Sequence, residues 1–179
     1  MIRKNPYGDL PKIDKSGYVD PTALIIGKVK IGRNVFIGPG AIIRADEPKS
    51  SITIGNNCNI QDRVIIHALG GTTVKIGDNV SLSHGCIIHG PCKIGKQCFI
   101  GFGAVIFKAN LCEKVFVKSL SVIEGADIPC GKIVTIGMVV DSKKKVRGLG
   151  NTTKVLLAFS QKVVKTNLDL VKGYRKFLK

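Results

Sequence analysis

Aliphatic residues recur at a fixed interval along most of the chain. From Val19 to Ile43 the interval is six residues, and four positions after most of these aliphatics comes a small or β-branched residue, as at Ala23, Val29, Val35 and Ala41. This is the hexapeptide repeat of a parallel β-helix, in which three short strands form one turn of a triangular prism. The aliphatic side chain points inward and the small one fits near the corner. The sequence therefore predicts an all-β fold.

The repeat is interrupted twice and then continues. The step from Ile43 to Ile54 is eleven residues, so five residues loop out near Asp46 to Ser51, and a second loop of four lies around Gly70 to Thr73. Beyond it the inward aliphatics run from Ile76 to Ile123, and the repeat ends between Pro129 and Val140. About five to six turns of the prism are accounted for in this way.

Three regions follow from this pattern. Residues 1–140 form the β-helix domain, whose first eighteen residues are an irregular lead-in. Residues 141–151 form a Lys- and Gly-rich linker. Residues 152–179 carry apolar side chains at helical spacing without a proline, which predicts an amphipathic α-helix capped by Thr152 or Thr153. We expect this helix to pack on the prism or on a neighbouring subunit.

Composition and charge narrow the function classes. The 179 residues include 21 Gly and only 6% aromatics, a balance that suits strands and tight turns. The net charge of +16 is scattered and shows no basic stripe interleaved with aromatic residues, so we expect no nucleic-acid partner. The N-terminus lacks the apolar core of a signal peptide and no apolar run is long enough to span a bilayer. We expect a soluble cytoplasmic protein with no membrane partner.

The six cysteines form no Cys-x-x-Cys pair, which predicts free thiols rather than a disulfide framework. Four of them occupy the small-residue position of the repeat, which favours a packing role: Cys58, Cys86, Cys92 and Cys98. Cys112 and Cys130 fall outside that position, and the repeat assigns them no role.

The three histidines lie within 23 positions, and the repeat fixes their relative placement. His67 and His89 are 22 residues apart, which is one turn of eighteen plus the four-residue loop. Arg44 precedes His67 by 23, one turn plus the five-residue loop, so these three side chains form one outward column. Adjacent rungs of a sheet are about 4.8 Å apart. Two imidazoles at that spacing can converge on one metal ion.

A second column lies on the preceding face of the prism. Asp62 and His84 are also 22 residues apart, and Gln61 stacks above Ser83. His84 lies near a corner, away from the other two histidines, so a neighbouring subunit in a three-fold assembly is a source for the third ligand. The alternative is that these are ordinary surface residues, which is the usual role of a single exposed histidine.

The residues around these columns resemble those of the gamma-class carbonic anhydrases, a family of trimeric left-handed β-helices. The motifs that carry the resemblance are Ile43-Arg44-Ala45-Asp46-Glu47, Asn59-Ile60-Gln61-Asp62, Ile66-His67-Ala68-Leu69, Val80-Ser81-Leu82-Ser83-His84 and His89-Gly90-Pro91. The resemblance runs from about residue 19 to the C-terminus. It implies a left-handed parallel β-helix followed by a C-terminal α-helix.

The resemblance also implies an activity and a site. His67 and His89 of one subunit and His84 of the next would bind zinc, with iron or cobalt as alternatives, in a homotrimer. Arg44 and Asp62 would pair between subunits. Gln61, Glu47 and Asn167 would line the site. The reaction would be the reversible hydration of carbon dioxide to bicarbonate by a metal-bound hydroxide.

Two departures from the family pattern keep other functions open. An acidic loop with a proton-shuttling glutamate is shortened here to Leu69-Gly70-Gly71-Thr72, and Lys165 stands where the family has a tyrosine. A metal-binding homologue or scaffold with little turnover is therefore one alternative. A hexapeptide-repeat acyltransferase that uses one histidine as a general base is the other.

Overall fold

The computed structural model describes residues 1–177, so the predicted helical residues Leu178 and Lys179 lie outside the described residues. Short strands follow one another to residue 140, and two helices follow them. In chain order the strands are β1 (Ile2–Arg3), β2 (Lys12–Ile13), β3 (Tyr18–Val19), β4 (Leu24–Gly27), β5 (Val29–Ile31), β6 (Phe36–Ile37), β7 (Ile42–Ala45), β8 (Ser51–Ile54), β9 (Asn59–Ile60), β10 (Ile65–His67), β11 (Thr73–Ile76), β12 (Ser81–Leu82), β13 (Ile87–His89), β14 (Cys92–Ile94), β15 (Phe99–Ile100), β16 (Val105–Phe107), β17 (Asn110–Leu111), β18 (Phe116–Val117), β19 (Val122–Glu124), β20 (Asp127–Ile128), β21 (Ile133–Val134) and β22 (Val139–Val140). The helices are α1 (Lys143–Arg147) and α2 (Lys154–Arg175).

Every third strand belongs to the same sheet, so the chain winds around a prism with three flat faces. The first sheet has the order β1-β4-β7-β10-β13-β16-β19-β22, the second β2-β5-β8-β11-β14-β17-β20, and the third β3-β6-β9-β12-β15-β18-β21. All neighbouring strands in the three sheets are parallel, as seen for example where β10 pairs with β7 and with β13. The predicted left-handed parallel β-helix with a C-terminal helix is confirmed, with about seven turns because the sheets hold eight, seven and seven strands.

The core is a stack of the inward aliphatics that the repeat predicts. Ile43, Ile66 and Ile88 lie in register on adjacent rungs of the first sheet and are fully buried. The cysteines at the small-residue position are buried with them, and Cys58, Cys86, Cys92 and Cys98 are free thiols. Little space is left where neighbouring turns of the prism meet at a corner. A Cβ atom added at Gly55 would lie 2.7 Å from the carbonyl carbon of Gly77 on the next rung, so this corner requires glycine.

The predicted irregular lead-in is only partly irregular, because it already contains β1, β2 and the first residue of β3. Lys12 and Ile13 pair with Lys30 and Ile31 of β5, and Ile2 pairs with Ile25. The reason is the same repeat, since Ile13 precedes Val19 by six residues. The solenoid therefore begins about one turn earlier than the sequence pattern from Val19 indicates.

The segment between the prism and the long helix contains its own short helix. Ser142 caps α1, and Asn151 forms an antiparallel bridge with Lys132 of the last complete turn. The main helix begins at Lys154, with Thr153 as its N-cap. It lies on the third sheet, where the Tyr174 ring stacks 4.6 Å from that of Tyr18. Near the other end, Phe159 meets Phe99 at 5.5 Å.

The expectation that all six thiols are free is wrong for two of them. Cys112 and Cys130 form a disulfide between successive turns, with their Cα atoms 4.5 Å apart. Leu111 and Ile128 are paired on neighbouring strands, and Cys112 and Cys130 follow them by one and two residues at the same corner of the prism. Among the described residues no helix has the length and apolar character needed to span a bilayer. The cytoplasmic location stays a prediction.

Candidate metal centre

Arg44, His67 and His89 form the predicted column on the outer surface of the first sheet. His67 is paired with Arg44 on one side and with His89 on the other, in strands β7, β10 and β13. Each follows a buried isoleucine directly. Because successive side chains of a strand point to opposite faces, each of the three points outward.

The two imidazoles of this column touch. Nδ1 of His67 lies 3.1 Å from Nε2 of His89, and the rings meet edge to face with centroids 4.9 Å apart. Phe107 on the next rung packs against the other side of His89, at a centroid distance of 5.2 Å. Within the described part of the chain, Nδ1 of His89 is buried and has no hydrogen-bond partner.

The surroundings of His67 favour its neutral form. It is buried, and this burial lowers the pKa of its imidazole below the usual 6.5, with the charge of Arg44 and the neighbouring His89 acting in the same direction. A neutral imidazole offers a nitrogen lone pair, which is the form that binds a metal ion.

Two acidic residues from the first inserted loop approach His67. Glu47 Oε1 lies 3.3 Å from Nε2 of His67, and Asp46 Oδ1 lies 3.6 Å from the same nitrogen. The guanidinium of Arg44 contacts the imidazole and one of these acids: it lies 3.1 Å from Nε2 of His67 and 3.5 Å from Oδ1 of Asp46. Sequence reasoning assigned no role to Asp46, although it lies within the motif around Arg44.

The second inserted loop fixes the position of Glu47. The backbone N–H of Gly70 donates a hydrogen bond of 2.6 Å to Glu47 Oε2. Gly70 is the position where the resemblance leads one to expect an acidic shuttle, and a Cβ atom there would lie 3.3 Å from the same oxygen. The hydrogen bond from Gly70 therefore holds Glu47, one of the two acids beside His67, in position.

His84 and Asp62 form a separate cluster at the corner between the third and first sheets. Nδ1 of His84 lies 3.4 Å from Asp62 Oδ2, and both side chains are about half exposed. The imidazole stacks on Phe102 at 5.6 Å. The cleft around His84 and the cleft around His67 and His89 share no lining residue. Among residues 1–177 no three or more His, Cys, Asp or Glu side chains are grouped so as to hold a metal ion.

Gln61 and Asn167 lie on the third sheet and its covering helix. The Gln61 side-chain amide donates to Asn59 Oδ1 at 3.1 Å, and Asn59 in turn donates to Ser81 Oγ at 2.8 Å. Asn167 is buried in α2, where its side-chain amide donates to the carbonyl oxygen of Val163 at 2.9 Å. Lys165 faces a different cleft, between α2 and the neighbouring corner of the prism.

The predicted site residues thus fall into three groups within one chain. The first sheet carries Arg44, Glu47, His67 and His89, the corner carries Asp62 and His84, and the third sheet with its helix carries Gln61 and Asn167. The predicted pair of Arg44 and Asp62 is not formed within the chain, since Arg44 contacts Asp46 and Asp62 contacts His84.

The fold and its repeat define the class of protein. Residues 28–68 match the family model described as "Hexapeptide repeat of succinyl-transferase", and residues 73–108 match "Bacterial transferase hexapeptide (six repeats)". A solved structure of a hexapeptide transferase family protein from Anaplasma phagocytophilum is similar over 97% of each chain, with a TM-score of 0.83 and 26% identity. The protein is a hexapeptide-repeat left-handed β-helix.

Sequence relatives narrow this class. A carbonic anhydrase of Methanosarcina thermophila is 36% identical over 96% of this chain and 77% of its own length. The mitochondrial gamma carbonic anhydrase 1 of Arabidopsis thaliana is 33% identical over 72% of this chain and 49% of its own length. The chain belongs to the gamma carbonic anhydrase family.

Proposed function

We propose that the protein is a carbonic anhydrase, which hydrates carbon dioxide reversibly to bicarbonate at a metal site between subunits. The observation that carries the proposal is the contact of His67 with His89 on one face, together with His84 on a separate corner. Two histidines from one subunit and one from the next make a three-histidine set, which leaves a coordination position open for a reactant.

The histidine pair suits a zinc ion in geometry and in protonation. Tetrahedral coordination with Zn–N distances of 2.0–2.1 Å places two ligand nitrogens about 3.3 Å apart. The observed separation between His67 Nδ1 and His89 Nε2 is 3.1 Å. The lowered pKa of His67 favours the neutral imidazole, which is the form that a cation requires as a ligand. Iron and cobalt accept the same donors.

The outer surface of the first sheet supports a trimer as the source of the third ligand. Beside the histidine column runs an apolar column in register: Leu24, Ile42, Ile65, Ile87, Val105, Val122 and Val139. The corner that carries His84 continues with Phe102, Leu120 and Ile136, all more than half exposed in the single chain. An apolar face and an apolar corner of the same prism meet in a head-to-tail contact, which closes into a ring by three-fold rotation.

Each remaining residue has a part in this site. When bound, the metal lowers the pKa of a water ligand to about 7 and so supplies the nucleophile at neutral pH. Gln61, held through Asn59 and Ser81, orients a reactant oxygen by its side-chain amide. Glu47 is placed to accept a proton next to His67. Arg44 and Asp62 pair across the subunit contact, and Asn167 lines the site from the helix.

One observation favours each alternative. The similarity to a hexapeptide transferase family protein leaves an acyltransferase open. Such an enzyme needs one histidine as a base and binds an acyl donor, so it would act without the metal. Gly70 in place of an acid favours a metal-binding protein or scaffold with little turnover.

The test is CO2 hydration by protein purified anaerobically and loaded with zinc or iron, with metal content and mass in solution measured on the same sample. We expect a trimer with one metal ion per subunit and CO2 hydration that His89→Ala abolishes. A metal-loaded trimer that hydrates no CO2 at any buffer concentration would leave the scaffold function. Acyl transfer from a thioester donor by the metal-free protein would establish the transferase.

A further inference from the structure

The outer surface of the second sheet carries a single column of lysines. Each strand of this sheet exposes one residue between two buried ones, and the strand register stacks these residues directly above one another. Along the prism the column consists of Lys12, Lys30, Thr53, Lys75, Lys93, Asn110 and Asp127. In the sequence these lysines are far apart, so their positive charge looks scattered. In the fold their side chains lie in one stripe.

The four lysines are all exposed, and among residues 1–177 none of them takes part in an ion pair. The one acid of the column, Asp127, lies at its far end and accepts a hydrogen bond of 2.7 Å from Asn110. Like charges directly opposite each other on neighbouring strands repel. An anionic partner along this column would relieve that repulsion.

The shape of the stripe points to a linear polyanion. It is one lysine wide, and the five rungs from Lys12 to Lys93 span about 19 Å at about 4.8 Å per rung. An extended polypeptide of about six residues covers that length. Thr53, in the middle of the stripe, adds a hydroxyl group that donates hydrogen bonds to a carboxylate.

We propose that this lysine column, from Lys12 to Lys93, binds an acidic segment of another polypeptide that lies along the prism axis. The surface is independent of the metal centre. The proposed trimer uses the first sheet and the corner between the third and first sheets, so the second sheet stays free on every subunit. A trimer then presents three identical columns.

Other occupants fit less well. Nucleic-acid sites generally combine phosphate contacts with aromatic stacking, arginine forks or an element that enters a groove, and this flat column has none of these additional features. A membrane surface is planar and favours a broad basic patch with apolar side chains beside it. A second copy of the chain has a net charge of +16 and offers no acidic run longer than Asp46-Glu47.

The experiment measures binding of a fluorescent oligo-glutamate peptide of that length to the intact trimer at low salt. The test variant is Lys75→Gln with Lys93→Gln. The matched control is Lys143→Gln with Lys144→Gln in α1, which removes the same charge from another exposed surface. Circular dichroism and mass in solution verify that both variants keep the fold and the trimer.

We expect the test variant to weaken peptide binding about tenfold, because it removes two exposed ion pairs that each contribute about threefold at low salt. The control should change binding by less than about twofold. Added salt should weaken the wild-type complex, because the contacts are ionic. Equal losses in the two variants, or no binding by the wild type, would overturn the proposal. Tighter binding of a single-stranded oligonucleotide of equal charge, lost in the test variant, would assign the column to phosphates and overturn it as well.

Discussion

His67 and His89 meet through their ring nitrogens at 3.1 Å, while His84 lies in a different cleft of the same chain. The repeat causes this separation, because His67 and His89 each come directly after a buried isoleucine on the first sheet, whereas His84 lies at a corner. In the proposed metal site a single prism therefore supplies two of the three histidines.

The apolar column of the first sheet should be needed for assembly. We expect Ile65→Glu to shift the mass in solution from trimer to monomer and to reduce metal content with it, because a buried charge would face the apolar corner of the next subunit. The matched control is Thr53→Glu, an exposed outward position on the second sheet, which should remain trimeric. Sedimentation analysis gives the mass, and an Ile65→Glu protein that stays trimeric would show that another face forms the contact.

Proton export should limit turnover, because Gly70 offers no acid beside Glu47. We expect the wild-type rate of CO2 hydration to rise steeply with imidazole buffer concentration, and Gly70→Glu to raise the rate at low buffer. Gly70→Gln matches the added side chain in size but has no titratable group, so it should give no increase. A rate that is independent of buffer in the wild type would mean that Glu47 alone exports protons efficiently.

The four free cysteines should be inert in the native protein. Burial raises the pKa of the Cys58 and Cys98 thiols to about 12, so their reactive thiolate forms are scarce at neutral pH. A thiol reagent should label none of the four free cysteines in the folded state and all four after unfolding. Reduction before unfolding should raise the count to six, through Cys112 and Cys130. Rapid labelling of native protein would contradict the packed positions.

Acid should destabilise the metal-free protein through His67. The pKa of this imidazole is lowered in the folded state, so below its ordinary value of 6.5 the unfolded chain binds the proton more readily. The contribution of His67 to the free energy of unfolding is complete above that pH and decreases as the pH falls toward the folded-state pKa. Urea unfolding at fixed protein concentration should show this decrease, and His67→Asn should reduce it. An equal decrease in the variant would assign the effect to other groups.

The columns were predictable because a fixed period determines where each side chain points. Counting one turn plus each inserted loop correctly placed His67 between Arg44 and His89, and the same counting also stacks Lys75 on Lys93. The loops themselves lie outside the period, so the approach of Asp46 to His67 and the hydrogen bond from Gly70 to Glu47 could not be predicted. The Cys112–Cys130 disulfide was missed because both residues fall outside the small-residue position of the repeat, although their separation of 18 residues equals one regular turn and could have indicated the contact.

In the proposed trimer each metal site takes His67 and His89 from one subunit and His84 from the next. Mixed trimers of His67→Ala and His84→Ala subunits, made by co-expression in equal amounts, distinguish this arrangement from a site within one chain. Neither variant alone should bind zinc, whereas random mixing should restore about one quarter of the sites, because one contact in four then joins two intact halves. Mixing His67→Ala with His89→Ala should restore none, since both ligands come from the same subunit. Zinc content near zero in the first mixture would contradict the claim.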